Sequence, residues 1–204
     1  IVPSFTRNWL AKRRPGGPLP APVDRLDQAA LAITVLALLA WVLLPATTVS
    51  AVALAIAAVA NAVRLGRWQG WRTAADPLVA VLHVGYAWVP LGLALLAIGQ
   101  ASGMPEFAAL HGLTAGAFGT MTLAVMTRAT LGHTGRALHA SRGTVAVFIL
   151  VTVAALARAA ATFAPGAWTP LLWVAGIAWI AAFTGFVAIY GPMLLGPRID
   201  SRPG

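Results

Sequence analysis

Long apolar runs, broken at short intervals by Pro, Gly or charge, set the pattern of this chain. Six of them reach the roughly 20 residues that a helix needs to cross about 30 Å of hydrocarbon. They cover residues 26–44, 47–65, 78–99, 107–131, 144–163 and 170–195. Asp76-Pro77 and Thr169-Pro170 each put a capping side chain before a helix-starting proline, and Ser141 is placed to cap the fifth helix. The pattern predicts an all-α polytopic membrane bundle of six transmembrane helices. Residues 1–25 read as a basic N-terminal segment, 26–196 as the transmembrane domain and 197–204 as a tail.

Composition agrees with the pattern. The chain of 204 residues is 59% hydrophobic and 9% charged, with a mean hydropathy of +0.82. Soluble domains carry about a quarter of their residues as charges, so too few polar side chains exist to coat a water-soluble globule. With no cysteine, disulfides, thiolate-held clusters and cysteine zinc sites are excluded, and any metal must rely on His, Met, Tyr or carboxylate. The chain begins with Ile1, which suggests a processed chain or part of a longer one.

The net charge of +9 changes the picture only through its distribution. Arg7, Lys12, Arg13, Arg14 and Arg25 precede span 1, and Arg64, Arg67 and Arg72 separate spans 2 and 3. Arg128, Arg136 and Arg142 flank the turn between spans 4 and 5, and Arg198 and Arg202 follow span 6. The alternate loops carry only Glu106. The positive-inside rule therefore puts both termini in the cytoplasm, and the surplus needs no nucleic acid. Arg158 stands apart, roughly 22 Å along span 5 from its cytoplasmic end. No carboxylate is expected inside a span to pair with it. It reads either as snorkelling to the outer interface or as a counter-charge to an anionic group such as a haem propionate.

Four histidines carry the candidate chemistry, since a neutral imidazole is the common ligand for haem iron or copper without thiolates. His111 and His133 are roughly 33 Å apart on a continuous helix, too far to share one ion. On such a helix they share a face with Ala115, Phe118, Thr122, Val125 and Ala129, with Met126 at its edge. That stripe is expected to point inward. His83, in span 3, is expected at the depth of His133. Two levels follow: an outer one at His111 and an inner one at His83 and His133. His139 reads as a solvated loop residue. Helix-end histidines are also ordinary interfacial hydrogen-bonders.

Other features have bland readings beside sharp ones. Gly112, Gly116 and Gly119 form a small-residue packing seam that also leaves room for a flat ring. Pro90 is expected to bend span 3. The eight Trp residues read mostly as interface anchors. Met121 and Met126 offer thioethers to Cu(I), though core packing is their more ordinary use.

Three stretches are distinctive. They are Val2-Pro3-Ser4-Phe5-Thr6-Arg7-Asn8, the run LHVGYAWVPLGL from Leu82 to Leu93, and the block HGLTAGAFGTMTLAVMTRATLGHTGR from His111 to Arg136. Together they resemble the NnrS family, bacterial inner-membrane proteins containing haem and copper and linked to nitric oxide and nitrosative stress. Such proteins typically have about twice as many spans, so the chain resembles a C-terminal half or a short relative. The resemblance implies haem and copper as cofactors and nitric oxide as a ligand. It singles out His83, Tyr86, His111, Arg128, His133 and Arg136. His83, His111 and His133 are then the metal-ligand candidates. Arg128 and Arg136 would meet propionates at the inner level and Arg158 at the outer, although positive-inside anchoring also explains Arg136.

Two other functions stand against this reading. A transporter or channel is allowed by six spans, but carriers usually bury carboxylates. A non-catalytic half-module would pack against a second transmembrane half or an identical subunit. No acid–base pair or nucleophile constellation appears within the spans, which argues against hydrolytic chemistry.

Overall fold

The structure, a computed structural model, describes residues 1–103 and 106–199. The expected Arg202 and most of the 197–204 tail lie outside the described residues. Six helical spans are long and apolar enough to cross a membrane. α2 (Arg25–Leu43), α3 (Thr48–Arg67) and α4 (Pro77–Ser102) provide three. The fourth joins α5 (Phe107–His111), a π-helical stretch Gly112–Gly119 and α6 (Thr120–His133). α7 (Arg142–Phe163) and α8 (Trp168–Leu195) complete the set.

Side-chain caps decide most of the helix starts. Asp24 accepts from Leu26 N and Asp27 N, while Asp27 accepts from Asp24 N, so a reciprocal capping box opens α2. Thr47, Asp76 and Ser141 cap α3, α4 and α7 more simply, each accepting from one N–H of the first turn. The last helix departs from expectation. It starts at Trp168, after a 3-10 turn Pro165–Ala167, with no side-chain cap. Pro170 then falls inside the first turn, where a missing N–H costs nothing because that donor has no intrahelical acceptor.

α4 is the central element. It packs against α3, α6 and the π stretch, while α2 leans on α3, and α7 pairs with α8 along their length. Pro90 is buried within α4, which continues unbroken through it. The N-terminal segment is more than a basic tail. Val2–Arg13 forms α1, whose Val2, Pro3, Thr6 and Leu10 are buried at helical spacing, and which packs on α4 and on the 3-10 turn Gly70–Thr73.

Candidate functional site

At the end of the bundle that is poor in basic residues, His111 and Arg158 line one pocket of about 610 Å³. Its other walls are apolar or small, chiefly Ala115, Phe118, Ala154, Leu172 and Trp179. His111 closes the first turn of span 4, where its Nδ1 lies 2.5 Å from the Phe107 carbonyl. A carbonyl can only accept, so Nδ1 carries a proton, and in the neutral ring it is Nε2 that has the lone pair. That is the tautomer a metal ligand needs. Arg158 comes from α7, and its Nη1 is buried without a hydrogen-bond partner. Its Cζ sits 5.4 Å from the Trp168 ring centroid. Thr162, one turn further along α7, also buries an unpartnered hydroxyl. Orphaned buried donors are costly unless something arrives to accept from them, and of these two Arg158 is the one that lines the pocket.

The π stretch shapes the same wall. Its i→i+5 bonding winds more residues into each turn than an α-helix does, so the face shared by His111 and His133 on a continuous helix is not maintained. Ala115, Thr122, Val125 and Ala129 are only half-buried, and Phe118 and Met126 are exposed. The inward side instead carries Gly112, Gly116, Gly119, Leu123, Ala124 and Thr127, which corrects the expected inward stripe. The glycine seam is a packing seam for the protein's own indoles. A Cβ on Gly116 would stand 2.4 Å from Trp88, and one on Gly119 would stand 2.6 Å from Trp179. Trp88 is accordingly buried, as is Trp68, and neither is an interface anchor.

At the opposite end, His83 is buried. Its Nε2 lies 2.8 Å from the hydroxyl of Thr6, its Nδ1 has no partner, and Gly70 presses against the ring. His133 is exposed at the end of α6, and His139 is exposed in the following loop. No hydrogen bond, ring contact or described cavity joins His83 to His133. Among the described residues no group of three or more His, Asp or Glu is placed to hold a metal ion. Arg128 lies 4.2 Å from the Phe5 ring centroid, with its Nε buried and unpartnered. Arg136 reaches the Thr134 carbonyl weakly at 3.5 Å. Met121 packs against Gly85 in the core.

Tyr86 belongs to a polar network that the sequence reading missed. Asp27 is buried and pairs with Arg64 at 2.6 Å, so a carboxylate does lie within a span. Arg64 donates to the Tyr86 hydroxyl at 2.9 Å. Tyr86 in turn donates to Asn61 at 2.5 Å, and Asn61 donates to Thr34 at 2.7 Å. The guanidinium also lies over the Trp68 ring at 5.0 Å. Asn61, in the middle of an apolar run, was the signal that a network crosses α2, α3 and α4. In this structure Asp27 is held in an ion pair with Arg64.

The profile of the NnrS protein family matches residues 1–198. The chain belongs to the NnrS family. The match extends through spans 5 and 6, beyond the last of the three distinctive stretches, which ends at Arg136. No curated protein and no solved structure matches the chain. This NnrS-family chain is thus a membrane-spanning protein, and its residues differ in how well they suit the cofactors of the resemblance. A haem needs an apolar slot, an imidazole and a cation for a carboxylate, and the His111–Arg158 pocket supplies all three. A copper ion held by several imidazoles has no assembled donor set among the described residues.

Proposed function

We propose that this NnrS-family chain is a haem-binding protein of the bacterial inner membrane that acts in the response to nitric oxide and nitrosative stress. One observation carries the assignment: His111 and Arg158, distant in sequence, converge on one apolar pocket of about 610 Å³. Pockets of roughly 300–1,000 Å³ suit drug-sized and cofactor-sized ligands. His111 would hold the haem iron through Nε2, and Arg158 would pair with a carboxylate of the group. When bound, the haem iron supplies a site for a diatomic ligand such as nitric oxide. The chain's part is to hold the imidazole in one tautomer through Phe107, to neutralise the carboxylate, and to keep water out with Phe118 and Trp179. Copper stands on family membership alone. His83 and Arg128 are held by α1 and are second candidates for a cofactor at the other end.

Absorption spectroscopy of the purified full chain tests this reading. A Soret band is expected, lost in His111→Ala and retained in His83→Ala. Arg158→Gln should weaken haem retention about tenfold or more, the scale of a charge-assisted hydrogen bond of about 1.5–3 kcal/mol. A full-length preparation with no Soret band and no copper by elemental analysis would overturn the proposal.

A further inference from the structure

The N-terminal helix makes a second pocket, independent of the haem reading. Between the last turn of α1 and the 3-10 turn that precedes α4 lies a concavity of about 290 Å³. Three arginines line it: Arg13 at the end of α1, Arg14 just beyond it and Arg72 from the turn, with Trp9, Leu10 and Ala75 completing the wall. No carboxylate is among the lining residues. The acids among the described residues are engaged elsewhere. Asp24 and Asp27 pair with Arg67 and Arg64, Asp76 caps α4, and Glu106 accepts from Trp41 at the far end of the bundle.

Two of the three guanidiniums, those of Arg13 and Arg72, are each held by a neighbouring side chain. Arg13 lies 5.5 Å from the centroid of the Trp9 ring. Arg72 donates to the Gln69 side chain at 2.6 Å, which leaves its other N–H groups free. α1 itself is fixed by burial of Val2, Pro3, Thr6 and Leu10. Arginine forks suit phosphate oxygens bidentately. The helix dipole accounts for a basic residue in the last turn of α1, but not for the approach of Arg72 from another element.

Position selects the source of the phosphate. The pocket lies where α3 has ended at Arg67 and α4 begins at Pro77, which is the water–lipid boundary of those spans. The neighbouring Trp71 is 69% exposed, as an interfacial anchor would be. Basic pockets at this depth on the cytoplasmic side take anionic lipid head groups. We propose that Arg13, Arg14 and Arg72 form a binding site for the phosphodiester of an anionic phospholipid, which clamps α1 onto the bundle.

Native mass spectrometry of the full chain, released from detergent after titration with cardiolipin, phosphatidylglycerol or phosphatidylcholine, tests this site. The anionic lipids are expected to bind the native chain at least tenfold more tightly than phosphatidylcholine. The triple variant R13Q/R14Q/R72Q should lose most of that preference. An equal-charge control, K12Q/R25Q/R142Q, removes three cations of the same side outside the pocket and should change affinity less than twofold. Thermal melting in detergent checks that both variants fold, and R72K, which keeps the charge but not the fork, should give an intermediate loss if the triple does not. Equal losses in both triples would overturn the site in favour of generic surface charge. Displacement of the lipid by inorganic phosphate or glycerol phosphate at matching concentrations would overturn the lipid assignment in favour of a free anion.

Discussion

Close contacts at single residues separate structural roles from chemical ones. Gly116 has no room for a side chain, because a Cβ would meet the Trp88 ring at 2.4 Å, whereas Gly66 has nothing within 4 Å. Overpacking of a tight core costs about 1–3 kcal/mol, so Gly116→Ala should lower the melting temperature in detergent by that equivalent. Gly66→Ala should stay within about 0.5 kcal/mol of the native chain. The Asp27–Arg64 pair gives a second test. Its side chains are only 4% and 12% exposed, and breaking one partner of a buried pair typically costs about 3–5 kcal/mol. Arg64→Met is expected to fall in that range, because it strands Asp27 and removes a donor from Tyr86. Adding Asp27→Asn should recover more than half of the loss, and a double variant no better than the single would show that Asp27 was not the reason.

At the scale of elements, what the chain announced was burial in lipid and what it concealed was burial in protein. Six spans were legible because an apolar run of about 20 residues has few other fates, and caps such as Asp76 and Ser141 act within a few residues of themselves. The π stretch was not legible. It depends on Trp88 and Trp179 arriving from α4 and α8 to fill the space that Gly116 and Gly119 leave, and a local pattern does not encode partners from other helices. α1 was missed for a related reason: four buried residues on a short, strongly basic helix gain their burial only by docking on α4. The convergence of His111 and Arg158 was half visible, as a histidine and an unexplained cation near the same outer level. One element also makes a pH prediction. The Asp24 carboxyl that opens α2 is held down to about 2 from 3.8, mainly by its hydrogen bond to Arg67. A folded pKa below the unfolded one contributes stability above the unfolded value, and that stability is lost as pH falls through the folded one. The melting-temperature advantage of the native chain over Asp24→Asn should therefore be constant above pH 4 and shrink between about pH 4 and pH 2. A difference flat across that window would mean that Arg67 does not hold Asp24.

For the whole molecule, the decisive quantity is orientation, because it says which compartment each pocket faces. Six crossings put the start of α2 and the end of α8 on one side, and the same side carries α1, the 3-10 turn and the α6–α7 loop with their arginines. The His111–Arg158 pocket opens toward the other. The positive-inside rule assigns the arginine-rich end to the cytoplasm, so a ligand of the His111 pocket would be met near the outer surface. The absence of cysteine makes this directly measurable, since a single introduced thiol has no background. Leu138→Cys, in the exposed loop between α6 and α7, and Gly166→Cys, in the open turn before α8, report opposite ends. A membrane-impermeant maleimide applied to intact spheroplasts should label Gly166→Cys and reach Leu138→Cys only after permeabilisation. The reverse pattern would turn the protein over. The arginine pocket would then face the outer leaflet, and the charge bias of the loops would need another explanation.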